Sequence, residues 1–468
     1  MCKASNYFIE SLDLKEHPMI QAKEKVKIEY FMALSYVVHH LVEQVENQMM
    51  LSNEANNTDA VLNFYLSNIL HPDFLREFTS KRLDMYKSVL CPTLESKLDT
   101  SDIRKAQKIL KTCLCRPWHK RQRICLMYDV ALVMLEENLV KQGASEIKQF
   151  LSKRKKEEID CLVDSLLMEK KIQSGFPQAD VLVKQYQKNR SFLSQKEHKV
   201  IVTANMSAGK STLINALIGK SIARTSQEVC TGSVCYIYNK AFEDGHVHLR
   251  TKSLTINATE SDLHSYTWNN RVSIASHFSG FTDHSSRICL IDTPGVDAAL
   301  HKEHTELTHS ALINQKYDFA IYVVSPTNLG TDAEKKHLFW VAQHIPKDHI
   351  IFVLNKLDDY RNCSDSIEES ISGLRKDLEQ AGFENPTICP ISAYFGLLLK
   401  LKMTGQPLSD DEQDEYAFLS KKFKRSSYDL SRFYEGVELS DSDSEEVMLS
   451  KRTGLYGLEK LIYGGLSS

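Results

Sequence analysis

The sequence has few of the features that mark secreted or metal-binding proteins. Its 468 residues include eleven cysteines, which are scattered and form no Cys-x-x-Cys pair. The nearest spacing is Cys113-x-Cys115, and His39-His40 has no cysteine or acidic partners at metal-ligand spacing. This pattern argues against a disulfide framework and a structural zinc cluster, and it favours a reduced, intracellular chain.

Long hydrophobic runs and an excess of either charge are also absent. No apolar run reaches about 18 residues, the length that would predict a membrane-spanning helix. Lys plus Arg number 58 and Asp plus Glu number 61, which gives a formal net charge of −3. A charge so near zero predicts no nucleic-acid binding by bulk electrostatics. Because the N-terminus shows no signal-peptide pattern, we expect a cytoplasmic location and no transmembrane segment.

The apolar content is sufficient for two or three folded domains. Hydrophobic residues make up 42% of the chain and charged residues 25%, as in ordinary globular proteins. Residues 1–195 carry apolar positions at helical spacing and predict an all-α domain. Within it, the spacing over 145–171 predicts one long helix, and residues 180–193 predict a helix that leads into the next domain.

A strand, a small-residue loop and a helix follow one another from residue 200. An apolar run over 200–203 precedes the loop, and helical spacing resumes at Leu213. Backbone N–H groups and a helix N-terminus then point at an anion. The residues expected to bind phosphate are Ala208, Gly209, Lys210, Ser211 and Thr212. Lys210 would reach the β- and γ-phosphates and Ser211 would hold Mg²⁺. Ala204 replaces the usual first glycine, so the backbone there must tolerate a Cβ.

Three further motifs each follow an apolar run that is typical of a buried strand. In Asp292-Thr293-Pro294-Gly295, the Asp292 carboxylate would hold Mg²⁺ through water and the Gly295 N–H would sense the γ-phosphate. In Asn355-Lys356-x-Asp358, the carboxylate would accept from guanine N1–H and N2, a pair that adenine lacks. A backbone N–H of the Ser392-Ala393 turn would meet guanine O6. Four motifs in this order predict an α/β P-loop GTPase domain, with a mostly parallel sheet flanked by helices.

A switch threonine that closes over Mg²⁺ and the γ-phosphate would complete such a site. The candidate threonines between Lys210 and Asp292 include Thr225, Thr231 and Thr251. We favour Thr231 as a metal ligand and catalytic residue, because it follows a polar loop and precedes a strand-like run at 234–238. The alternative is that Thr231 is an ordinary threonine at a sheet edge.

These residues resemble the GTPase domain of the dynamin superfamily, in particular its bacterial dynamin-like members, over about residues 196–400. The run from Ser207 to Ser211, Ser-Ala-Gly-Lys-Ser, carries the resemblance. So do the about 60 residues between Thr231 and Asp292, where dynamin-like domains extend their sheet. Val296 follows Asp-Thr-Pro-Gly, so no glutamine stands where Ras-type enzymes orient water.

The resemblance also implies a mechanism and partners. In dynamins the serine that matches Ser207 helps to bind a charge-compensating monovalent cation when two GTPase domains meet. Ser207 is therefore a catalytic candidate, and self-association through the GTPase domain is expected. The family's water-positioning glutamine is Met206 here, which cannot orient water by hydrogen bonding. The family further implies that a helix at about 180–193 packs against the closing helix at about 454–463, whose apolar face is Leu455, Leu458, Leu461 and Ile462, and couples the helical domain to the nucleotide state. The alternative is two domains that fold and act independently.

The chain after residue 400 is charged and irregular in pattern. Residues 401–450 are expected to form a charged, partly mobile insertion, and residues 451–468 a closing helix. Membrane-remodelling dynamins carry long stalk helices after the GTPase domain, and no such length follows here, so we expect nucleotide chemistry more than membrane fission. A basic segment with one Trp, residues 116–123, offers peripheral membrane contact or, alternatively, is a solvated helix start.

The sequence therefore predicts a protein that binds GTP and hydrolyses it to GDP and phosphate with Mg²⁺. One alternative is a regulatory GTP switch whose helical domain binds a partner. Another is a nucleotide-binding scaffold with little intrinsic hydrolysis, which the Met206 position favours.

Overall fold

The computed structural model describes residues 8–54, 72–94, 106–111, 119–168, 176–205, 207–223, 234–265, 272–281, 286–294, 302–361, 366–440 and 442–467. The chain divides into two compact units. The helical unit comprises Met1–Ser194, Ala241–His246 and Leu254–Ile256. The sheet unit comprises Gln195–Lys240, Val247–Ser253 and Asn257–Ser468. A helical region thus precedes a sheet flanked by helices, which confirms the predicted fold class.

Helices dominate the described part of the helical unit. They are α1 (Glu24–Glu54), α2 (Pro72–Leu90), α3 (Lys120–Met134), α4 (Glu137–Gln149), α5 (Lys153–Leu167) and α6 (Asp180–Ser194). The unit also includes a 3₁₀ turn at Pro177–Ala179 and the short strand segment Leu254–Ile256 (β4). Helix α3 packs against α1, α4, α5 and α6, and every residue from Arg123 to Met134 is buried. A helix that is buried on all sides lies at the centre of such a bundle.

A buried carboxylate organises polar groups inside this bundle. Asp129 on α3 lies 2.8 Å from His17 Nε2, and it accepts hydrogen bonds from the hydroxyls of Tyr30 and Tyr86. All four side chains are almost fully shielded from solvent. Since buried polar groups are costly when unpaired, these bonds fix one arrangement of α1, α2 and α3.

The prediction of one long helix over 145–171 is wrong. Helix α4 ends at Gln149 and α5 begins at Lys153, and the intervening Ser152 has an extended backbone with ψ 158°. Leu151 lies in this break and is buried. Its position therefore fits the apolar spacing of one continuous helix, although the chain leaves the helical conformation there. The polar residues after Leu151 serve as the start of a new helix.

Helices and strands alternate in the sheet unit. Its strands are β1 (His198–Ala204), β2 (Cys235–Asn239), β3 (His248–Arg250), β5 (Val272–Ser276), β6 (Ile288–Asp292), β7 (Phe319–Val324), β8 (Ile350–Leu354) and β9 (Ile388–Pro390). Its helices are α7 (Lys210–Ile218), α8 (Glu260–Ser265), α9 (Lys302–Asn314), α10 (Asp332–His344), α11 (Ile367–Gln380), α12 (Ala393–Met403), α13 (Asp410–Phe423), α14 (Glu445–Arg452) and α15 (Leu455–Ser467). Short 3₁₀ turns lie at Pro326–Asn328, Lys347–His349, Leu357–Asp359, Ser426–Tyr428 and Ser431–Phe433.

The strands of this unit follow the order β3-β5-β2-β6-β1-β7-β8-β9. Strands β6, β1, β7, β8 and β9 are parallel, while β2 runs antiparallel to β6 and β3 antiparallel to β5. After β1, the chain first forms the strands on the β6 side of β1 and then those on the β7 side. The order of the strands therefore reverses at β1. In open α/β sheets a ligand site lies outside the carboxyl ends of the strands at such a reversal. The four sequence motifs all follow strands that end at this edge.

The C-terminal segment completes the core of the sheet unit. Leu455, Leu458 and Ile462 on α15 are buried in the same apolar cluster as β1 and α7. Leu461 on the same helix is 42% exposed. The predicted contact of this helix with the helix at about 180–193 stays a prediction. Residues 410–452 also contribute buried apolar side chains, among them Phe423 and Leu449. The proposed domain limits at 195, 400 and 450 stay predictions.

Among the described residues, no helix combines the length and apolar character that crossing a membrane requires.

An ion pair is buried where α12 and α15 meet. Lys400 Nζ lies 2.5 Å from the Glu459 carboxylate, and the two side chains are 2% and 0% exposed. Lys400 also donates to the Leu217 carbonyl at 2.9 Å, and Glu459 accepts from the Phe281 N–H at 2.8 Å. Burial lowers the pKa of Lys400, and the nearby Glu459 carboxylate opposes that shift. The pair thus joins the end of α7, the segment that follows β5, and the helices α12 and α15.

We expect Lys400→Met to lower the free energy of unfolding by about 3–5 kcal/mol, because it leaves the Glu459 carboxylate buried without its partner. Lys402→Met, two residues further along and exposed, should change it by less than about 1 kcal/mol. Urea titration followed by circular dichroism measures both. Equal stability of the two variants would show that the pair contributes nothing to the fold.

Candidate functional site

The loop between β1 and α7 has the backbone geometry of an anion-binding nest. Gly209 has φ 85° in the left-handed region, and the helical Lys210 follows it directly. A left-handed residue beside a right-handed one turns successive N–H groups toward the same point. Ser207 also has a positive φ of 59° and is exposed, whereas Ala208 is buried. Ser211 and Thr212 in the first turn of α7 are half-buried.

Only glycine fits at position 209. A Cβ there would lie 2.4 Å from Asn355 Nδ2, well inside contact distance, and φ 85° already disfavours side chains. The departure at Ala204 has no such consequence. Ala204 is the last residue of β1, pairs with Val323 on β7 and has no positive φ. The backbone therefore tolerates the alanine in place of the usual glycine.

Lys210 and Asp292 meet in an ion pair. Strands β1 and β6 are in register with Val202 opposite Asp292, which brings the β6 carboxyl end beside the start of α7. Lys210 Nζ donates to Asp292 Oδ1, and the two side chains are 12% and 11% exposed. The next residue, Thr293, donates from Oγ1 to the Val202 carbonyl at 2.9 Å. The lysine and the carboxylate thus neutralise each other at the mouth of the phosphate loop.

Asn355 connects the phosphate loop to the turn after β9. Its Nδ2 donates to the Ala208 carbonyl at 3.1 Å and to the Gly209 carbonyl at 3.4 Å. Its Oδ1 accepts from the Ala393 N–H at 3.0 Å, and the residue is 2% exposed. Lys356 follows with φ 65°, and its side chain passes close to Gly209. One carboxamide therefore holds the two loops at a fixed distance.

Asp358 lies beside Ser392 at the same edge of the sheet. Ser392 Oγ donates to Asp358 Oδ1 at 2.7 Å and also accepts from the Phe395 N–H, which makes it the N-cap of α12. Burial raises the pKa of Asp358 above its ordinary value of 3.8, and the Ser392 hydrogen bond opposes that rise. A ligand that donates hydrogen bonds to this carboxylate would favour its ionised form.

The two backbone N–H groups of the Ser392-Ala393 turn already have partners. Ser392 N–H donates to the Thr453 carbonyl at 2.9 Å, and Ala393 N–H donates to Asn355 Oδ1. The sequence assigned one of these groups to guanine O6. That contact requires the Ala393 N–H to be shared with Asn355 or released from it.

Sequence reasoning missed a buried network under the phosphate loop. Asn205 Nδ2 donates to Glu334 Oε2 at 3.2 Å, and Tyr322 OH donates to the other carboxylate oxygen at 2.8 Å. Burial raises the pKa of Glu334, and burial lowers the pKa of the neighbouring His337 to about 3. The sequence signal for Glu334 was the spacing Thr331-x-x-Glu334, since Thr331 caps α10.

The structure thus brings together most of the predicted site residues. The phosphate-loop residues, Asp292, Asn355, Lys356, Asp358, Ser392 and Ala393 lie at the carboxyl edge of the parallel strands. Met206, Thr231 and Gly295 lie outside the described residues. A phosphate loop, an aspartate on the adjacent strand and an Asn-Lys-x-Asp loop at one sheet edge define the P-loop GTPase class.

Comparison with known proteins specifies this class further. Residues 200–357 match the model of the Dynamin family. "Dynamin-like protein A" of Bacillus subtilis (strain 168) is 25% identical over 171 residues, 35% of this chain and 14% of its own length. "Probable transmembrane GTPase FZO-like, chloroplastic" of Arabidopsis thaliana is 25% identical over 216 residues, 45% of this chain and 21% of its own. The chain therefore contains a GTPase domain of the dynamin superfamily.

A third relative has no described activity. It is an uncharacterised protein from the xynA 3′ region of Caldicellulosiruptor sp. (strain Rt8B.4), 27% identical over 210 residues, or 42% of this chain and 49% of its own. The matches thus span about half or less of the length of these curated relatives.

We expect Asn355→Ala to lower the free energy of unfolding by about 2 kcal/mol without any nucleotide, because it leaves the Ala393 N–H and the Ala208 carbonyl unpaired. Asn314→Ala, at an exposed position on α9, should change stability by less than about 0.5 kcal/mol. Chemical unfolding of both variants tests this. If Asn355→Ala is as stable as the wild type, the side chain does not join the two loops.

Proposed function

We propose that this protein binds GTP at the carboxyl edge of the sheet and hydrolyses it to GDP and phosphate with Mg²⁺. The observation that carries the proposal is the convergence of Lys210, Asp292, Asn355 and Asp358 at that edge. It is supported by the dynamin-type sequence of residues 200–357.

Phosphate binding would begin with an exchange of partners at Lys210. The ammonium that now donates to Asp292 would donate to the β- and γ-phosphates, while the N–H groups from Ala208 to Thr212 surround the same anion. Asp292 is then free for another cation. Because each charge gains a new partner as it loses the old one, the loop does not bury an isolated charge.

The side-chain oxygens of Ser211 and Asp292 suit Mg²⁺. The Ser211 hydroxyl and the Asp292 carboxylate are hard oxygen donors, and Mg²⁺ is commonly held by one or two protein oxygens together with substrate phosphates. When bound, Mg²⁺ supplies positive charge against the β- and γ-phosphate oxygens. From the order of the motifs, we assign the switch role to Thr231 and the γ-phosphate contact to the Gly295 N–H. From the resemblance to dynamins, we assign a monovalent-cation contact to Ser207.

Hydrolysis itself would be an in-line displacement. A water oxygen forms a bond to the γ-phosphorus and a proton of that water is released to solvent, while the bond to the β–γ bridging oxygen breaks, so that GDP leaves with the electron pair. Lys210 and the loop N–H groups would stabilise the negative charge that gathers on the bridging and equatorial oxygens. Met206 offers no hydrogen bond to the water, so we expect slow turnover by the isolated chain.

Guanine would be distinguished from adenine at Asp358. Its carboxylate would accept from both N1–H and the N2 amine of guanine, whereas adenine presents an acceptor at N1. Ser392 contributes by holding one carboxylate oxygen, and the Ala393 N–H reaches O6 only by sharing its bond to Asn355. The specificity is therefore assigned mainly to Asp358.

The second candidate function is a GTP switch with negligible turnover, which the Met206 position favours.

In either case we propose that nucleotide state is coupled to the helical unit, since α6 ends at Ser194 and β1 begins at His198 with no Gly/Ser-rich linker between them. Self-association, peripheral membrane contact and a cytoplasmic location also remain proposals. Turnover that rises with protein concentration favours the enzyme, and liposome stimulation tests membrane contact.

The hydrolysis test compares phosphate release from GTP and from ATP at fixed Mg²⁺, using the full chain at several concentrations. We expect release from GTP only, and loss of it in Lys210→Met because the loop's ammonium is removed. Lys376→Met, an exposed lysine on α11, should match the wild type. Equal rates with ATP, or full activity of Lys210→Met, would rule out the proposed reaction.

Base recognition can be tested by reversing one hydrogen-bonding role. Asp358→Asn replaces an acceptor oxygen with a donor amide, so it should weaken GTP binding about tenfold or more and favour XTP, whose base carries a second carbonyl. Asp359→Asn, at the adjacent exposed position, is the matched control and should keep the wild-type preference. A competition titration with both nucleotides measures the ratio, and an unchanged ratio in Asp358→Asn would contradict the assignment.

A further inference from the structure

The last turn of α13 holds the backbone of the Asp358 loop. Lys422 on that turn is 8% exposed, and its Nζ donates to the carbonyl of Asp358 at 2.5 Å and to that of Tyr360 at 2.6 Å. Tyr428 OH donates to the same Tyr360 carbonyl at 3.1 Å. Since an ammonium has three donors, two of them are directed to one short loop.

Lys422 is enclosed on another side by an aromatic ring. Its Nζ lies 4.5 Å from the ring centroid of Tyr428, a cation–π distance. A buried ammonium is strongly disfavoured unless its charge and its donors are satisfied. The two carbonyls and the ring surround the ammonium when the loop from Asp358 to Tyr360 occupies this position. The charge of Lys422 therefore favours this conformation of the loop.

Helix α13 is itself anchored to the helix that begins at the base-reading turn. Phe395 on α12 packs against Phe423 and Tyr416 of α13, with ring centroids 5.3 and 5.9 Å apart. Ser392, the N-cap of that same α12, donates to the Asp358 carboxylate. Asp358 is thus held by its side chain from α12 and by its main chain from α13.

We propose that Lys422 is a positioning residue for guanine recognition, which fixes the main chain of Asp358 so that its carboxylate meets both N1–H and N2 of the base. This inference rests on the proposed function, in which Asp358 reads guanine. It assigns a role to a residue outside the segment that matches the dynamin model, which ends at residue 357. The contacts of Lys422 that carry this role are those with the loop.

The effect of displacing the Asp358 carboxylate on nucleotide affinity differs from the effect of a general loss of stability. Guanine offers the carboxylate two donors, whereas hypoxanthine lacks the N2 amine and offers only N1–H. Two hydrogen bonds must align together, so a displaced carboxylate loses more affinity for GDP than for IDP. General destabilisation would weaken both nucleotides alike. The ratio of GDP to IDP affinity therefore reports on the position of Asp358.

The experiment measures GDP and IDP affinity of the full chain by competition with a fluorescent N-methylanthraniloyl GDP. The wild type should prefer GDP by about tenfold. Lys422→Met keeps the aliphatic stem and removes the donors, so GDP should bind about tenfold more weakly while IDP changes little. Lys421→Met, at the adjacent exposed position, should keep the wild-type ratio.

Tyr428→Phe provides a second test if Lys422→Met fails to fold. It removes one hydroxyl that donates to the Tyr360 carbonyl and keeps the ring over Lys422, so the ratio should fall by a smaller factor, about threefold. An unchanged ratio in the folded Lys422→Met protein, or in Tyr428→Phe if the first does not fold, overturns the positioning role. A wild type that binds GDP and IDP equally overturns the assignment of guanine to Asp358, and the role of Lys422 with it.

Discussion

The side chain of Asn355 is the interaction on which the site depends. Its amide donates to the phosphate loop at Ala208 and accepts from Ala393 at the start of α12. The two segments are far apart in sequence, and this one side chain forms hydrogen bonds to both. With the amide buried and paired on both sides, a displacement of either loop leaves a polar group unsatisfied. The distance between the proposed phosphate and base subsites is therefore set in the nucleotide-free protein, which would lower the cost of ordering on binding.

Charge in the same site is balanced by internal partners. Lys210 is neutralised by Asp292, Asp358 accepts a hydrogen bond from Ser392, and the ammonium of Lys422 is solvated by two carbonyls and an aromatic ring. The phosphates of a nucleotide would replace Asp292 beside Lys210, while Ser392 and Lys422 would keep their contacts with the Asp358 loop. Exchange of this kind permits tight binding without a high cost for the nucleotide-free protein. Each charged side chain of the proposed site is therefore held by a further residue: Lys210 by Asp292, and Asp358 by Ser392 and Lys422.

Much of this edge could be predicted from the sequence, because an apolar strand that ends in a polar motif is an unambiguous pattern. The runs before Ala204, Asp292 and Asn355 became β1, β6 and β8 within one or two residues of the expected limits. The part after residue 400 was harder. Its charged composition indicates a solvated segment, yet Lys422 and Phe423 are buried on one side of α13. Composition averages over both faces of a helix, so it hides a single buried lysine.

The same limitation applies to the ends of loops. Ser392 and Ala393 were recognised as a motif, but the partners of their N–H groups, Thr453 and Asn355, are contacts of long sequence separation. Glu334 was overlooked because its carboxylate meets Asn205 only after β1 and β7 pair. Local pattern identified which segments form the site, whereas hydrogen bonds between distant segments decide which groups remain available to a ligand.

The most direct test of this account is calorimetric titration of the full chain with GDP and, separately, with ADP at fixed Mg²⁺. A prearranged site with one base-reading carboxylate predicts one GDP per chain and an ADP affinity weaker by at least about a hundredfold. Binding of the two diphosphates with equal affinity, or the absence of GDP binding, would contradict the central claim that this sheet edge is a guanine-nucleotide site.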